Sequence, residues 1–142
     1  MAALPITASQ VLPVSGLRET GIGGAAITQG QAVHYDGAGK WKPAQCDGTA
    51  VEAGAEKYGI ALTACAADGQ PVVVALPGAV VNLGAGAAAV AGTVYFVGAT
   101  AGALNVAGDL SSTNKVTPIC YGVGTNRVKV LDHAYDAGSV KP

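Results

Sequence analysis

Residues 68–78 read Asp-Gly-Gln-Pro-Val-Val-Val-Ala-Leu-Pro-Gly, and this stretch decides the fold class. Its centre, Val72 to Leu76, is a continuous apolar run rich in β-branched residues, which favours a buried strand over a helix. The Asp-Gly before the run and the Pro-Gly after it are turn dipeptides, so the strand must be short. The stretch therefore predicts one core strand between two tight turns.

The same succession of short apolar runs and turn residues continues in both directions from this strand. Further strands are predicted at 32–35, 40–43, 58–64, 79–83, 93–97, 104–106, 116–123 and 127–131. Only residues 86–91 suit a helical turn or two, because glycine and proline interrupt the remaining runs. We therefore expect a mainly β fold, a compact antiparallel β domain that is barrel- or sandwich-like.

The composition indicates one domain with an unusually uncharged surface. The chain has 142 residues, of which only 12% are charged, about half the usual share. Because an isolated soluble domain needs more charge than this, we expect much of the surface to be covered by further copies, as in a homotrimer, or by a partner. The net charge of −1 and the scattered lysines and arginines argue against a nucleic-acid partner. The uncharged stretch 69–108 is broken by proline and asparagine, which argues against a membrane span.

A weak internal repeat predicts two similar β units. Gly30 precedes the 32–35 strand, Gly92 precedes the 93–97 strand, and a Tyr-Gly pair follows each, at Tyr58 and at Tyr121. The separation is 28 residues in the first copy and 29 in the second. Such units would share one core, since neither could bury its apolar face alone.

Residues 1–24 are predicted to be an extended N-terminal arm, and residues 25–142 a single β-rich domain. Pro5, Pro13 and several glycines disfavour helix in the arm. Its apolar residues nevertheless require burial, so we expect it to be a docking arm that becomes ordered on a partner. The alternative is a first edge strand of the domain, where proline is tolerated. The candidate contact residues of the arm are Leu4, Ile6, Val11, Leu12 and Val14.

Side chains that could carry catalysis or bind a metal are sparse. His34 and His133 are the only histidines, the first expected on the solvent face of its strand and the second in a polar tail. Glu52, Glu56 and Asp68 fit the solvated face of a connection better than an acid–base pair. We therefore assign no catalytic, cofactor-binding or metal-binding residue, and we predict that the protein is not an enzyme.

Two glycine strings, at 21–26 and 84–89, match the G-x-G-x-x-A spacing of dinucleotide-binding loops. That mechanism requires a strand before the glycines and a long helix after them. No long helix follows either string, so both are predicted to be turns and no cofactor is expected.

Two other residue types have a structural interpretation. Cys46, Cys65 and Cys120 are too widely spaced for a disulfide framework, and they are expected to be buried or half-buried thiols of a protein made in a reducing cytoplasm. Trp41, between two lysines, is either an exposed contact residue or an inward one, and strand alternation favours the inward position.

Several of these segments, taken together, resemble a family of phage proteins. The succession comprises Ala26-Ile27-Thr28-Gln29-Gly30-Gln31-Ala32-Val33, Tyr58-Gly59-Ile60-Ala61, Asp68-Gly69-Gln70-Pro71-Val72-Val73-Val74 and Ala91-Gly92-Thr93-Val94-Tyr95. It resembles the small capsid decoration, or cement, proteins of tailed bacteriophages over roughly residues 25–131.

The resemblance implies a structural virion protein that binds the outer surface of an assembled capsid and stabilises it. Its implied partners are the major capsid protein and further copies of itself, often as a homotrimer. Its implied location is the virion surface, after synthesis in the cytoplasm of the bacterial host. The rival hypothesis is a phage head fibre, spike or adhesin-type β domain that binds a receptor or a glycan.

Overall fold

The computed structural model describes residues 4–36, 38–47, 52, 57–84, 87, 89–110, 114–131 and 139–140. These residues contain two short 3-10 turns, Ala8–Gln10 and Ala107–Asp109, and thirteen strands. The strands are β1 (Leu12–Ser15), β2 (Arg18–Gly23), β3 (Ala32–Tyr35), β4 (Lys40–Pro43), β5 (Tyr58–Ala61), β6 (Pro71–Ala75), β7 (Val80–Asn82), β8 (Val94–Val97), β9 (Leu104–Asn105), β10 (Lys115–Val116), β11 (Pro118–Gly124), β12 (Arg127–Val130) and β13 (Ser139–Val140). The prediction of a mainly β fold is confirmed.

Five strands form a closed barrel in the order β2-β4-β3-β5-β6. All the pairings are antiparallel except that between β2 and β4, which is parallel. Trp41 of β4 is fully buried in the barrel, as the alternation predicts. It packs there with Ile27, Val33, Ala61, Cys65, Val72 and Val74. Where β2 passes the indole, a Cβ on Gly21 would lie 2.8 Å from Trp41 Nε1, so this position requires glycine.

Six strands form a second, antiparallel sheet in the order β1-β7-β12-β11-β8-β9. One face of this sheet, which we call its inner face, packs on the outside of the barrel in a shared core. The barrel contributes Ala32, Ile60 and Ala75 to this core, and the sheet contributes Val81, Tyr95, Val97, Leu104, Cys120, Val128 and Val130. The barrel and the sheet therefore stabilise each other through one continuous apolar layer.

The two β units have the same strand order, as the internal repeat predicts. The first unit is ordered β4-β3-β5-β6-β2, and the second β9-β8-β11-β12-β7. Turns with positive φ recur at matching places, with Gly30 at +87° and Gly92 at +86°. The Gly30 amide donates to the carbonyl of Ala61, and the Gly92 amide donates to that of Gly122, at 2.8 Å in both cases. The second unit differs because β7 and β9 do not pair, so it stays open where the first unit closes.

The register of the repeat differs from the sequence alignment by two residues. Ala32 lies opposite Ile60 in the barrel, and Val94 lies opposite Tyr121 in the sheet. Tyr121 therefore corresponds to Ile60, and not to Tyr58 as the matching Tyr-Gly pairs suggested. A shift of two residues keeps every side chain on its own face of the strand, so the pattern of apolar residues cannot reveal it.

The prediction of an arm outside the domain is wrong for residues 12–23. Strand β1 pairs with β7 at the edge of the six-stranded sheet, and β2 is one of the five barrel strands. The alternative of an edge strand describes β1 correctly, since Pro13 lies where one side of the strand has no neighbour. Backbone pairing with β6 and β7, which follow about 50–70 positions later in the chain, orders this segment, and no local sequence pattern indicates such pairing.

The N-terminal segment (residues 4–15) crosses the opening of the second unit. At one end the amide of Leu4 donates to the carbonyl of Leu104 on β9, at 2.9 Å. At the other end β1 pairs with β7, and between them Val11 is buried, with 2% of its surface exposed. The segment therefore covers the gap that a direct β7–β9 pairing would have closed.

Candidate functional site

The face of the six-stranded sheet opposite the barrel, which we call the outer face, carries exposed apolar side chains. One row of directly paired residues runs across five strands through Ser15, Val80, Lys129, Tyr121 and Val94. A second row contains Leu12, Asn82 and Arg127. The outer face is therefore a regular lattice of side chains on rigid strands, with apolar and cationic groups side by side.

The corresponding face of the first unit is buried at its centre. Val94 and Tyr121 correspond to Ala32 and Ile60, which lie on the outside of the barrel and have no exposed surface under the second unit. Val94, in contrast, is 40% exposed. The fold thus contains two versions of one face, and only the version in the second unit lacks a covering layer.

The apolar groups of the outer face are accompanied by two cations without a counterion. Arg127 and Lys129 point to the same side of β12, and neither forms an ion pair within the described part of the chain. Three lysines of the first unit differ, because Lys40, Lys42 and Lys57 each pair with a carboxylate, whereas Arg18 of β2 does not pair with any described carboxylate. Sequence reasoning did not select Arg127 or Lys129. The signal was present in the alternation Arg-Val-Lys-Val at 127–130, which places both charges on the face opposite two buried valines.

The five predicted contact residues divide into two groups. Leu12 and Val14 are 59% and 43% exposed, and they remain accessible to a partner. Val11 is buried, and Leu4 and Ile6 pack against the shared core. The structure therefore places Leu12 on the outer face, whereas Leu4, Ile6 and Val11 pack in or against the core.

A separate cleft of about 470 Å³ lies beside β3 and β4, against the tip of the β8–β9 hairpin. His34, Asp36, Lys42, Glu52 and Ala101 are among the residues that line it. His34 is 4% exposed, so the prediction that it lies on the solvent face of its strand is wrong. The alternation was read correctly, but the outside of the barrel at this point is covered by the chain that follows β4 and by the second unit.

The titratable groups of this cleft differ in their hydrogen bonding. The Nδ1 atom of His34 is buried and has no hydrogen-bond partner. Burial lowers the pKa of His34, against the opposing effects of Glu52, of a hydrogen bond to the Pro43 backbone and of Asp36. Asp36 already accepts hydrogen bonds from the amides of Ala38 and Lys40. The Nδ1 atom of His34 is therefore shielded, although the residue lines the cleft.

The other sequence candidates take structural positions. Gly21 and Gly23 lie inside strand β2 rather than in the predicted turn, and Gly84 follows β7 with a φ of +92°. Cys46, Cys65 and Cys120 are buried free thiols, as predicted. Burial raises the pKa of Cys46 and, more strongly, that of Cys120. His133 and Glu56 lie outside the described residues.

Among the described residues, no group of three or more histidine, cysteine or acidic side chains could hold a metal ion, and no helix is long and apolar enough to cross a membrane. Comparison with protein-family models, with curated proteins and with solved structures finds no match to this chain.

Proposed function

We propose that this protein is a structural virion protein that binds the outer surface of an assembled phage capsid and stabilises it. The observation that carries the proposal is the uncovered outer face of the six-stranded sheet. An exposed apolar lattice on a rigid scaffold is typical of a surface that docks on another protein. The centre of the same face in the first unit is buried under the second unit, so we expect the outer face to be covered on assembly.

Three further features support a role in assembly rather than in chemistry. The surface has few charges, which suits proteins that bury much of it in symmetric contacts. The exposed edge of β1 offers unpaired backbone groups to a strand of a partner, a common way of adding one protein to another. The sequence resemblance to capsid decoration proteins covers both β units. The partners in this proposal are the major capsid protein and further copies of the chain, arranged as a homotrimer at the virion surface.

Co-sedimentation with purified capsid shells tests this function. The shells are assembled from the major capsid protein encoded in the same phage genome, and bound protein is quantified after pelleting. We expect saturable binding at a stoichiometry set by the capsid lattice, and shells that withstand more heat or denaturant when decorated. A Leu12→Asp variant should bind more weakly, because it places a charge on the outer face without disturbing the buried core.

The control variant is Ile22→Asp, which makes the matching change at an exposed apolar residue of barrel strand β2. If the natural protein fails to pellet with shells but binds intact host cells or isolated cell-surface glycans, the capsid proposal is wrong and the protein is a receptor-binding domain.

A further inference from the structure

We infer that the outer face docks on a protein surface that presents carboxylates between apolar side chains. The inference rests on the proposed function in taking the outer face as the docking surface, and it adds the chemistry of the partner. It starts from Arg127 and Lys129, which lie two residues apart on one strand. Strand geometry places their Cα atoms about 6.5 Å apart on the same side of the sheet.

The apolar neighbours of these cations exclude a partner that is only charged. Tyr121 lies opposite Lys129, and Val94 lies opposite Tyr121, so the cations continue directly into an apolar row. Leu12 and Val123 add exposed side chains, at 59% and 42% exposure. A flexible polyanion such as a nucleic acid would neutralise the two charges and leave these side chains in water. The driving force for docking comes from burying them.

The cations, in turn, exclude a partner that is only apolar. Covering Arg127 and Lys129 with an apolar surface would remove their hydration without replacing it, and an unpaired buried charge is strongly unfavourable. Carboxylates at matching positions would satisfy both groups, and the arginine can accept one in a two-point geometry. The partner surface must therefore combine acidic and apolar residues.

A second copy of this chain supplies such a surface poorly. Among the described carboxylates, Glu19, Asp36 and Asp68 already pair with lysines of their own molecule. Asp47 and Asp109 accept hydrogen bonds from the side-chain amides of Gln45 and Asn105. Using them to bind a neighbouring outer face would break those pairs. The favoured occupant is therefore a different protein, and under the proposed function it is the capsid surface.

The first test exchanges the charges of the outer face. The double variant Arg127→Glu/Lys129→Glu is compared with Arg18→Glu/Lys115→Glu, which makes the same change in net charge at two unpaired cations outside the outer face. We expect the first variant to bind shells at least about tenfold more weakly, equivalent to about 1.4 kcal/mol. The control should bind like the natural protein, and salt should weaken binding of the natural protein more than that of the first variant. Equal losses in the two variants, or no loss in the first, would overturn the inference.

The second test does not depend on capsids. A soluble peptide of alternating glutamate and valine, its lysine–valine counterpart, polyglutamate and a short DNA duplex are titrated against the labelled protein, with amide chemical shifts as the readout. We expect the glutamate–valine peptide alone to shift residues of β11 and β12. If the DNA or polyglutamate binds there as tightly, the apolar requirement is wrong and so is the inference. If the peptide binds but the natural protein does not bind shells, the proposed function is wrong and the inference about the partner chemistry of the outer face is kept.

Discussion

The two matching turns allow the packing of the N-terminal segment to be measured against an internal control. Gly30 and Gly92 occupy corresponding positions with φ values of +87° and +86°. A Cβ on Gly30 would lie 2.6 Å from Cγ2 of Ile6 and 3.0 Å from Cγ2 of Val11. A Cβ on Gly92 would meet nothing within 4 Å. Alanine therefore creates the same backbone strain at both sites, but it creates a steric clash only at position 30.

The free energies follow from these distances. A left-handed conformation costs a residue with a side chain about 1–2 kcal/mol, and this cost applies to both variants. Forcing an extra methyl group into a packed site adds about 1–3 kcal/mol, and this cost applies to Gly30→Ala alone. We expect Gly92→Ala to lower the free energy of unfolding by about 1–2 kcal/mol and Gly30→Ala to lower it by about 2–5 kcal/mol.

Urea denaturation followed by the fluorescence of Trp41 measures both values, because this single tryptophan is fully buried in the barrel. The two variants should share the slope of the transition and differ in its midpoint. Equal destabilisation by the two substitutions would refute the reasoning. It would mean that Ile6 and Val11 do not pack against the Gly30 turn.

Three further predictions concern the interior. Deleting residues 2–15 should strongly lower the melting temperature, because it exposes the β7 edge and removes buried Val11; a thermal unfolding curve like that of the full chain would contradict this. Burial lowers the pKa of His34 below its usual 6.5, so the unfolded chain takes up the proton first as the pH falls. The contribution of His34 to stability is therefore full above about pH 6.5 and decreases below it. His34→Asn should remove this dependence at pH values above the titration of the carboxylates, and an unchanged pH profile of unfolding would argue against the prediction. The Cys120 thiol, buried and with a raised pKa, should react with iodoacetamide only after unfolding, as mass spectrometry of the alkylated protein would show.

The strands were predictable where turn-forming residues flank them in the sequence. The bounds predicted for β3 and β4 match the structure, and the strand predicted at 72–76 corresponds to β6 with a shift of one residue. In each case a glycine, a proline or an Asp-Gly pair adjoins a run of suitable residues, so the information is local. The existence of two similar units could also be predicted from the sequence, because both copies keep a glycine where φ is positive.

Pairing between distant strands was not predictable in the same way. Nothing near Leu12 indicates that β1 lies beside β7, and the parallel β2–β4 contact that closes the barrel has no sequence signature. The candidate site was not fully predictable for the same reason, because it also depends on tertiary packing. The alternation of β12 placed Arg127 and Lys129 on one side of the strand, yet only the tertiary structure shows that this side is uncovered while the matching side of the barrel is buried.

The position of β1 has a consequence for the nascent chain on the ribosome. The barrel strands β2 to β6 end at Ala75, so the first unit has all its partners once that residue has been made. Strand β1 must wait for β7, which is complete only at Asn82, and at about 5–20 residues per second this delay lasts several seconds or more. During that interval the leucine and valine side chains of the N-terminal segment have no place in the growing protein. Strand β1 is thus translated well before its partner, and until β7 has been made its protection from aggregation depends on factors bound at the ribosomal exit tunnel.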